Sequence, residues 1–160
     1  LLNDWRLTMD HLATPHWEQT RQAAAQEKVV LFAQDTTELD FTHHPTKQGL
    51  GPIGNGQGRG LLLHSTLAIV PGETPQVLGL AHQQALLRRP TPQPRPRDYA
   101  SPEGQVWAQA AEAVGKPPDG VRWVHVGDRG SDDFRFMHAT RQDNGKDFEL
   151  SASRRLVPRE

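Results

Sequence analysis

The chain of 160 residues contains no cysteine, which excludes thiolate metal sites, disulfides and thiol catalysis and agrees with a reducing cytoplasm. It has no apolar run approaching the roughly 18 residues of a membrane span, and no signal peptide can be recognised. It has no surplus of either charge: 18 basic residues against 19 acidic ones leave −1 at pH 7, so bulk charge lends no support to a nucleic-acid partner. The eight histidines show no H-E-x-x-H and no other dense ligand spacing. His43 and His44 are adjacent, which points their rings apart in a strand, so zinc is not expected. Neither Ser65 nor Ser131 stands in a His/Asp arrangement that would make it a nucleophile. The chain opens on Leu1 and ends on Val157-Pro158-Arg159-Glu160 with no closing element, so the expectation is an excerpt of a longer protein.

Two short acidic motifs at the ends of apolar runs carry most of the information. The first is Val29-Val30-Leu31-Phe32-Ala33-Gln34-Asp35-Thr36-Thr37. The second is Val121-Arg122-Trp123-Val124-His125-Val126-Gly127-Asp128-Arg129-Gly130-Ser131-Asp132. Each reads as a buried strand ending in a carboxylate, and the carboxyl ends of strands are where α/β sheets place ligands. Carboxylates from two adjacent strand ends can hold a divalent cation, and hard cations prefer such oxygens to sulfur or imidazole. A strand-end Asp can also simply cap a turn or helix. Thr36 and Thr37 could support Asp35 by hydrogen bonds, although β-propensity alone accounts for them.

The rest of the chain orders around these motifs. Residues 1–28 form a polar helical lead-in, with Pro15 expected to break it or to start a second helix capped by Thr14. Strands are expected over 29–34, 39–42, 60–70 and 76–85, with a hairpin turn at Pro71-Gly72-Glu73-Thr74. Residues 49–60 hold six glycines, and Gly49-Leu50-Gly51-Pro52-Ile53-Gly54 formally matches G-x-G-x-x-G. The stretch runs into a strand rather than opening a helix, and no G-K-[ST] follows, so it reads as a flexible β-β connection. A basic proline-rich loop covers 87–101, with Arg88, Arg89, Arg95 and Arg97 and no acid from 88 to 97. It suits a phosphate-facing arm as well as an ordinary solvated loop.

A helix over 103–114 carries the stripe Val106, Trp107, Ala110, Ala111 and Val114, with Ser101 as N-cap and Pro102 at N1. A strand follows at 121–127, then a helix at 132–141 N-capped by Asp132 with Phe134, Met137 and His138 facing inward, and a last strand at 148–153. Trp5, Trp17, Trp107 and Trp123 read as core. Four strands before an α-β-α-β succession predict an α/β fold whose mixed sheet joins an antiparallel meander to parallel βαβ units, with flanking helices.

That order, with these motifs, resembles the catalytic core of a bacterial insertion-sequence transposase of the DDE type, in the insertion-sequence-four family. Gln34-Asp35-Thr36-Thr37 looks like the family's first catalytic block, and Gly60 through Ile69 with His64-Ser65 like the strand that follows. Leu78-Gly79-Leu80 with Gln83, then Glu103 and Trp107 at the E-x-x-x-W spacing, look like its linker and helix. Val126-Gly127-Asp128-Arg129-Gly130-Ser131-Asp132 looks like its second block. The likeness covers about residues 17–155.

The resemblance implies a ribonuclease H-like fold over residues 29–155, incomplete, followed by a tail over 156–160. It implies metal-dependent cleavage of DNA at transposon ends and joining of those ends to a target. Asp35 and Asp128 are then two of three catalytic, metal-binding carboxylates around Mg²⁺ or Mn²⁺ ions, in a two-metal site. Arg129, Arg154, Arg155, Arg88 and Arg89 become candidates for the DNA backbone. The implied partners are double-stranded DNA, both transposon ends and target, and a second copy on that DNA. The implied setting is the bacterial cytoplasm, at the nucleoid, without a membrane. The third ligand of the family is a glutamate inside Y-x2-R-x3-E-x6-K, and this chain has no such signature. Glu149 and Glu160 lack that context, so the core is expected to be incomplete for chemistry.

Two other readings compete. An inactive transposase remnant with weak DNA binding would share every feature above. A haloacid-dehalogenase-like phosphatase also begins with a strand-end Asp, and residues 127–132 resemble its late G-D-x-x-x-D block. It needs a second Asp two residues after the nucleophile, where Thr37 stands.

Overall fold

The computed structural model describes residues 8–89, 102–128, 131 and 134–141. Their order is α1 (Met9–Ala24), β1 (Val29–Asp40), β2 (Gly51–Ile53), β3 (Gly58–Val70), β4 (Gln76–Leu86), α2 (Pro102–Val114), β5 (Arg122–Val126) and α3 (Phe134–Arg141). This is an α/β arrangement: a mixed open sheet, mostly antiparallel with one parallel pair, and three helices among the described residues.

β3 is the hub of the antiparallel part. It pairs β1 from Asp40↔Gly60 to Leu31↔Ile69 on one edge. On its other edge β2 pairs residues 58–60 and β4 pairs residues 62–70, so β2 and β4 lie end to end. β5 joins the far side of β1 in parallel, from Val29↔Arg122 to Ala33↔Val126. Read across, the sheet runs β4, β3, β1, β5.

Alternation along β1 and β3 assigns the two faces, because successive strand residues point to opposite sides. Val30, Phe32 and Gln34 on β1 are buried, as are Leu62, His64, Thr66 and Ala68 on β3. The helices cover this face. Ala24 of α1 and Val114 of α2 pack with Val30, Phe32, Ala68, Ala81 and Trp123. Trp107 and Val106 of α2 and Phe136 of α3 pack with Leu62 and Leu86. α1 approaches β4 so closely that a Cβ on Gly79 would lie 2.6 Å from Thr20 Oγ1, and Gly79 has φ +144, a conformation that favours glycine. Arg21 then donates to the Ala81 carbonyl at 2.9 Å.

Several sequence expectations are corrected. The first strand does not end at residue 34. β1 continues to Asp40 because β3 keeps pairing it after β5 has stopped, and the expected separate strand over 39–42 is its far end. The glycine-rich connection contains β2. α1 is one helix running through Pro15, capped by Thr8: its hydroxyl accepts from the His11 N–H, while His11 Nδ1 accepts from the Thr8 N–H. On α3 the inward aromatic is Phe136, at 1% exposure, whereas Phe134 is 78% exposed and His138 is exposed. Trp17, Trp107 and Trp123 are core, as expected. Trp5, the caps Ser101 and Asp132, and the strand expected over 148–153 lie outside the described residues. No helix among the described residues is long and apolar enough to cross a membrane.

Candidate functional site

The parallel pair of β1 and β5 leads toward both acids. Its last pair is Ala33↔Val126, and each chain reaches its aspartate two residues later. β1 continues through Asp35, whereas β5 ends at Val126 and Asp128 lies two residues past its end. Both residues are exposed. Asp35 makes no hydrogen bond or ion pair among the described residues. It stands on β1 itself, on the face opposite the helices, held by the Asp35↔Ser65 pair with β3.

Asp128 is positioned by a tight turn. Ser131 donates to the Asp128 carbonyl twice, from its backbone N–H at 3.0 Å and from its hydroxyl at 2.6 Å. Ser131 is fully buried and presses on Gly127. A Cβ on Gly127 would lie 2.6 Å from Ser131 Oγ and 3.0 Å from the Trp107 ring. Glycine before the acid is therefore what lets the chain fold back under it. The sequence showed this serine only as a failed nucleophile; its role is to fix the turn.

Beneath Asp35, on the helix face, lies a chain of polar side chains that sequence reasoning missed. Gln34 Oε1 is 3.0 Å from His64 Nε2, and Gln34 Nε2 is 3.1 Å from His125 Nδ1. Thr36 Oγ1 is 2.7 Å from the other nitrogen of His64, Nδ1. The directions follow from one another. The Gln34 carbonyl can only accept, so Nε2 of His64 donates; a neutral ring then leaves Nδ1 to accept from the Thr36 hydroxyl. The Gln34 amide donates onward to His125. The two residues flanking Asp35 are thus tied to β3 and β5 at once. Thr36 supports the strand rather than the carboxylate.

His64 is wholly buried and sits edge-on to Trp107, with ring centroids 4.6 Å apart. Burial pushes its pKa from 6.5 down to about 4, with a further lowering by His82. It is a neutral structural histidine. The signal that could have found it is its place in an otherwise apolar strand, Leu61-Leu62-Leu63-His64.

On the opposite face a second polar row passes through Asp35. From Leu61 to Ile69 that face of β3 reads Leu61, Leu63, Ser65, Leu67, Ile69, so Ser65 is its one polar side chain, and it pairs with Asp35. Beyond it Ser65 pairs with Gln83 of β4, whose amide donates to the Ser65 hydroxyl at 2.9 Å.

Of the predicted arginines, Arg88 and Arg89 are among the described residues. Arg88 is engaged: its guanidinium takes both oxygens of Glu103 at 2.8 and 3.0 Å and one of Glu38 at 2.8 Å. The hydrogen bond to Glu103 is the main cause of its raised pKa. It ties the ends of β1 and β4 to the start of α2. Arg89 is exposed. Arg129, Arg154, Arg155 and Glu149 lie outside the described residues, and Thr37 is exposed on β1.

The donor set near Asp35 is hard oxygen, which suits Mg²⁺ or Mn²⁺. Among the described residues no group of three His, Cys, Asp or Glu side chains could enclose a metal ion, so this pair would hold one from one side. The chain matches no family model, and no curated protein matches it.

Proposed function

We propose that the chain is part of a ribonuclease H-like catalytic core of a DDE-type DNA transposase, acting on double-stranded DNA in the bacterial cytoplasm, with Asp35 and Asp128 as two of its metal-binding carboxylates. The observation that carries the reading is the parallel pairing of β1 with β5, whose last pair, Ala33↔Val126, stands two residues before each of two exposed acids. The strand order supports it as well. A long first strand flanked by an antiparallel partner on one side and, after a helix, a parallel partner on the other resembles the ribonuclease H-like sheet.

A bound Mg²⁺ or Mn²⁺ would neutralise phosphate charge and lower the pKa of bound water. The chain's own part is to aim two carboxylates from fixed backbones. β3 braces Asp35, and the Gly127–Ser131 turn braces Asp128. With no third carboxylate in the family's signature, these residues alone are expected to bind the cation and DNA without cleaving. Dimer formation on DNA, and backbone contacts from Arg89, Arg129, Arg154 and Arg155, belong to the same proposal.

The test is a Mn²⁺ titration followed by electron paramagnetic resonance. Asp35→Asn and Asp128→Asn should each lose roughly a hundredfold or more in affinity, beyond the loss of a supporting hydrogen bond. Unchanged binding in both variants rejects the reading. Mn²⁺-dependent nicking of duplex DNA that vanishes in Asp35→Ala would show that two carboxylates suffice. Hydrolysis of small phosphomonoesters would favour a phosphatase instead; Thr37, where that class needs its acid, argues against it.

A further inference from the structure

We infer that Ser65, oriented by Gln83, is a positioning residue for Asp35: its hydroxyl donates to the Asp35 carboxylate when that carboxylate holds a cation. The inference rests on the proposed metal-binding role of Asp35.

The argument begins with hydrogen-bond direction. The Gln83 amide N–H donates to Ser65 Oγ at 2.9 Å, so the serine oxygen is already accepting from the β4 side. Its own proton has no acceptor among the described residues. With one lone pair taken from β4, the remaining proton is free to point the other way, toward β1. The residue there is Asp35, the direct ladder partner of Ser65, whose carboxylate also lacks a partner among the described residues. Side chains directly opposite on antiparallel strands have Cβ atoms roughly 4.5–5.5 Å apart, within reach of a serine-carboxylate hydrogen bond.

The surroundings make this serine conspicuous. Leu63 and Leu67 flank it on the same face. The half-buried hydroxyl accepts from Gln83 on one side and is aligned with the lone acid on the other. Thr36, the neighbour of Asp35, points to the other face and bonds His64 there. A donor on the back of a metal-binding carboxylate fixes which oxygen faces the ion and holds the rotamer, and loss of such a donor typically lowers metal affinity about 10–100-fold.

The experiment compares Mn²⁺ affinity of the whole chain with Ser65→Ala, Ser65→Thr, Gln83→Met and Asp35→Asn, each checked for native far-ultraviolet circular dichroism and melting temperature. Ser65→Ala should weaken Mn²⁺ about tenfold, Ser65→Thr should retain most of the affinity, and Gln83→Met should fall between them. A merely structural role would move the melting temperature of Ser65→Ala and leave the affinity of the folded fraction alone. Loss of binding in Asp35→Asn with wild-type affinity in folded Ser65→Ala overturns this inference and spares the metal site. Wild-type affinity in Asp35→Asn overturns the metal site itself, and this inference with it.

Discussion

One strand carries two kinds of polar residue, and their difference separates architecture from chemistry. On the helix face of β1, Gln34 and Thr36 are tied into a sealed chain with His64 and His125. On the opposite face, Asp35 stands between them in sequence, exposed and without a partner among the described residues. Buried polar groups are costly unless they find partners, and here three hydrogen bonds join Gln34, Thr36, His64 and His125. An exposed acid on a rigid strand costs little and is free to bind. The alternation of a single strand therefore supplies a fixed base and a free ligand one residue apart.

The sealed side should be the fragile one. Gln34→Leu removes an acceptor from His64 and a donor from His125 in one step, leaving both rings short of a partner. At about 1–3 kcal/mol for each orphaned buried group, the expected loss is about 4 kcal/mol, read by urea denaturation. Acid attacks the same place. The folded protein holds His64 neutral with a pKa near 4, against 6.5 ordinarily. The unfolded chain therefore takes up a proton first as pH falls. Stability is full above pH 6.5, declines between 6.5 and 4, and then levels, a total of about 3 kcal/mol. The Thr36 hydroxyl can turn to accept from a protonated ring, so the penalty is that of the buried charge rather than of a broken bond. His82, lowered chiefly by burial, adds in the same direction. Chemical denaturation at several pH values checks this, and His64→Gln should flatten the slope.

The turn under Asp128 belongs to the sealed side and feeds the open one. Gly127→Ala would drive a methyl group into Ser131 Oγ and Cβ at 2.6 and 2.7 Å. The cost should be about 2 kcal/mol, in the range of overpacked cores. Because the same serine holds the Asp128 carbonyl, Mn²⁺ affinity should fall together with stability. Replacing Ser131 by Gly in the same protein should recover part of the stability without restoring the affinity.

Much of this was legible in the sequence, and the gaps have definite causes. Asp35 and Asp128 could be picked out because each follows an apolar run, and those two runs do pair in parallel, up to two residues before each acid. The extent of β1 was not legible. Asp35, Glu38 and Asp40 look like the end of a strand when only local polarity is read, whereas the antiparallel partner β3 sustains the strand to Asp40. Gln34, His64, His125 and Thr36 were invisible as a set because they come from three strands, and only the register joins them. Phe136 rather than Phe134 is buried because α3 packs against Trp107, a tertiary fact that an eight-residue helix does not encode in its own pattern.

The smallest stability effect should come from the residue proposed to matter most. Asp35→Asn keeps the size of the side chain, leaves the Asp35↔Ser65 pairing intact and removes a charge with no ionic partner among the described residues. Its stability should change by no more than about 0.5 kcal/mol, the range of surface substitutions away from buried features. Its Mn²⁺ affinity should collapse. Gln34→Leu should show the reverse in the fraction that stays folded: a large loss in denaturation, with cation binding retained wherever the strand persists. If Asp35→Asn destabilised the protein as much as Gln34→Leu, the acid would be part of the architecture, and the division between the two faces of β1 would fall.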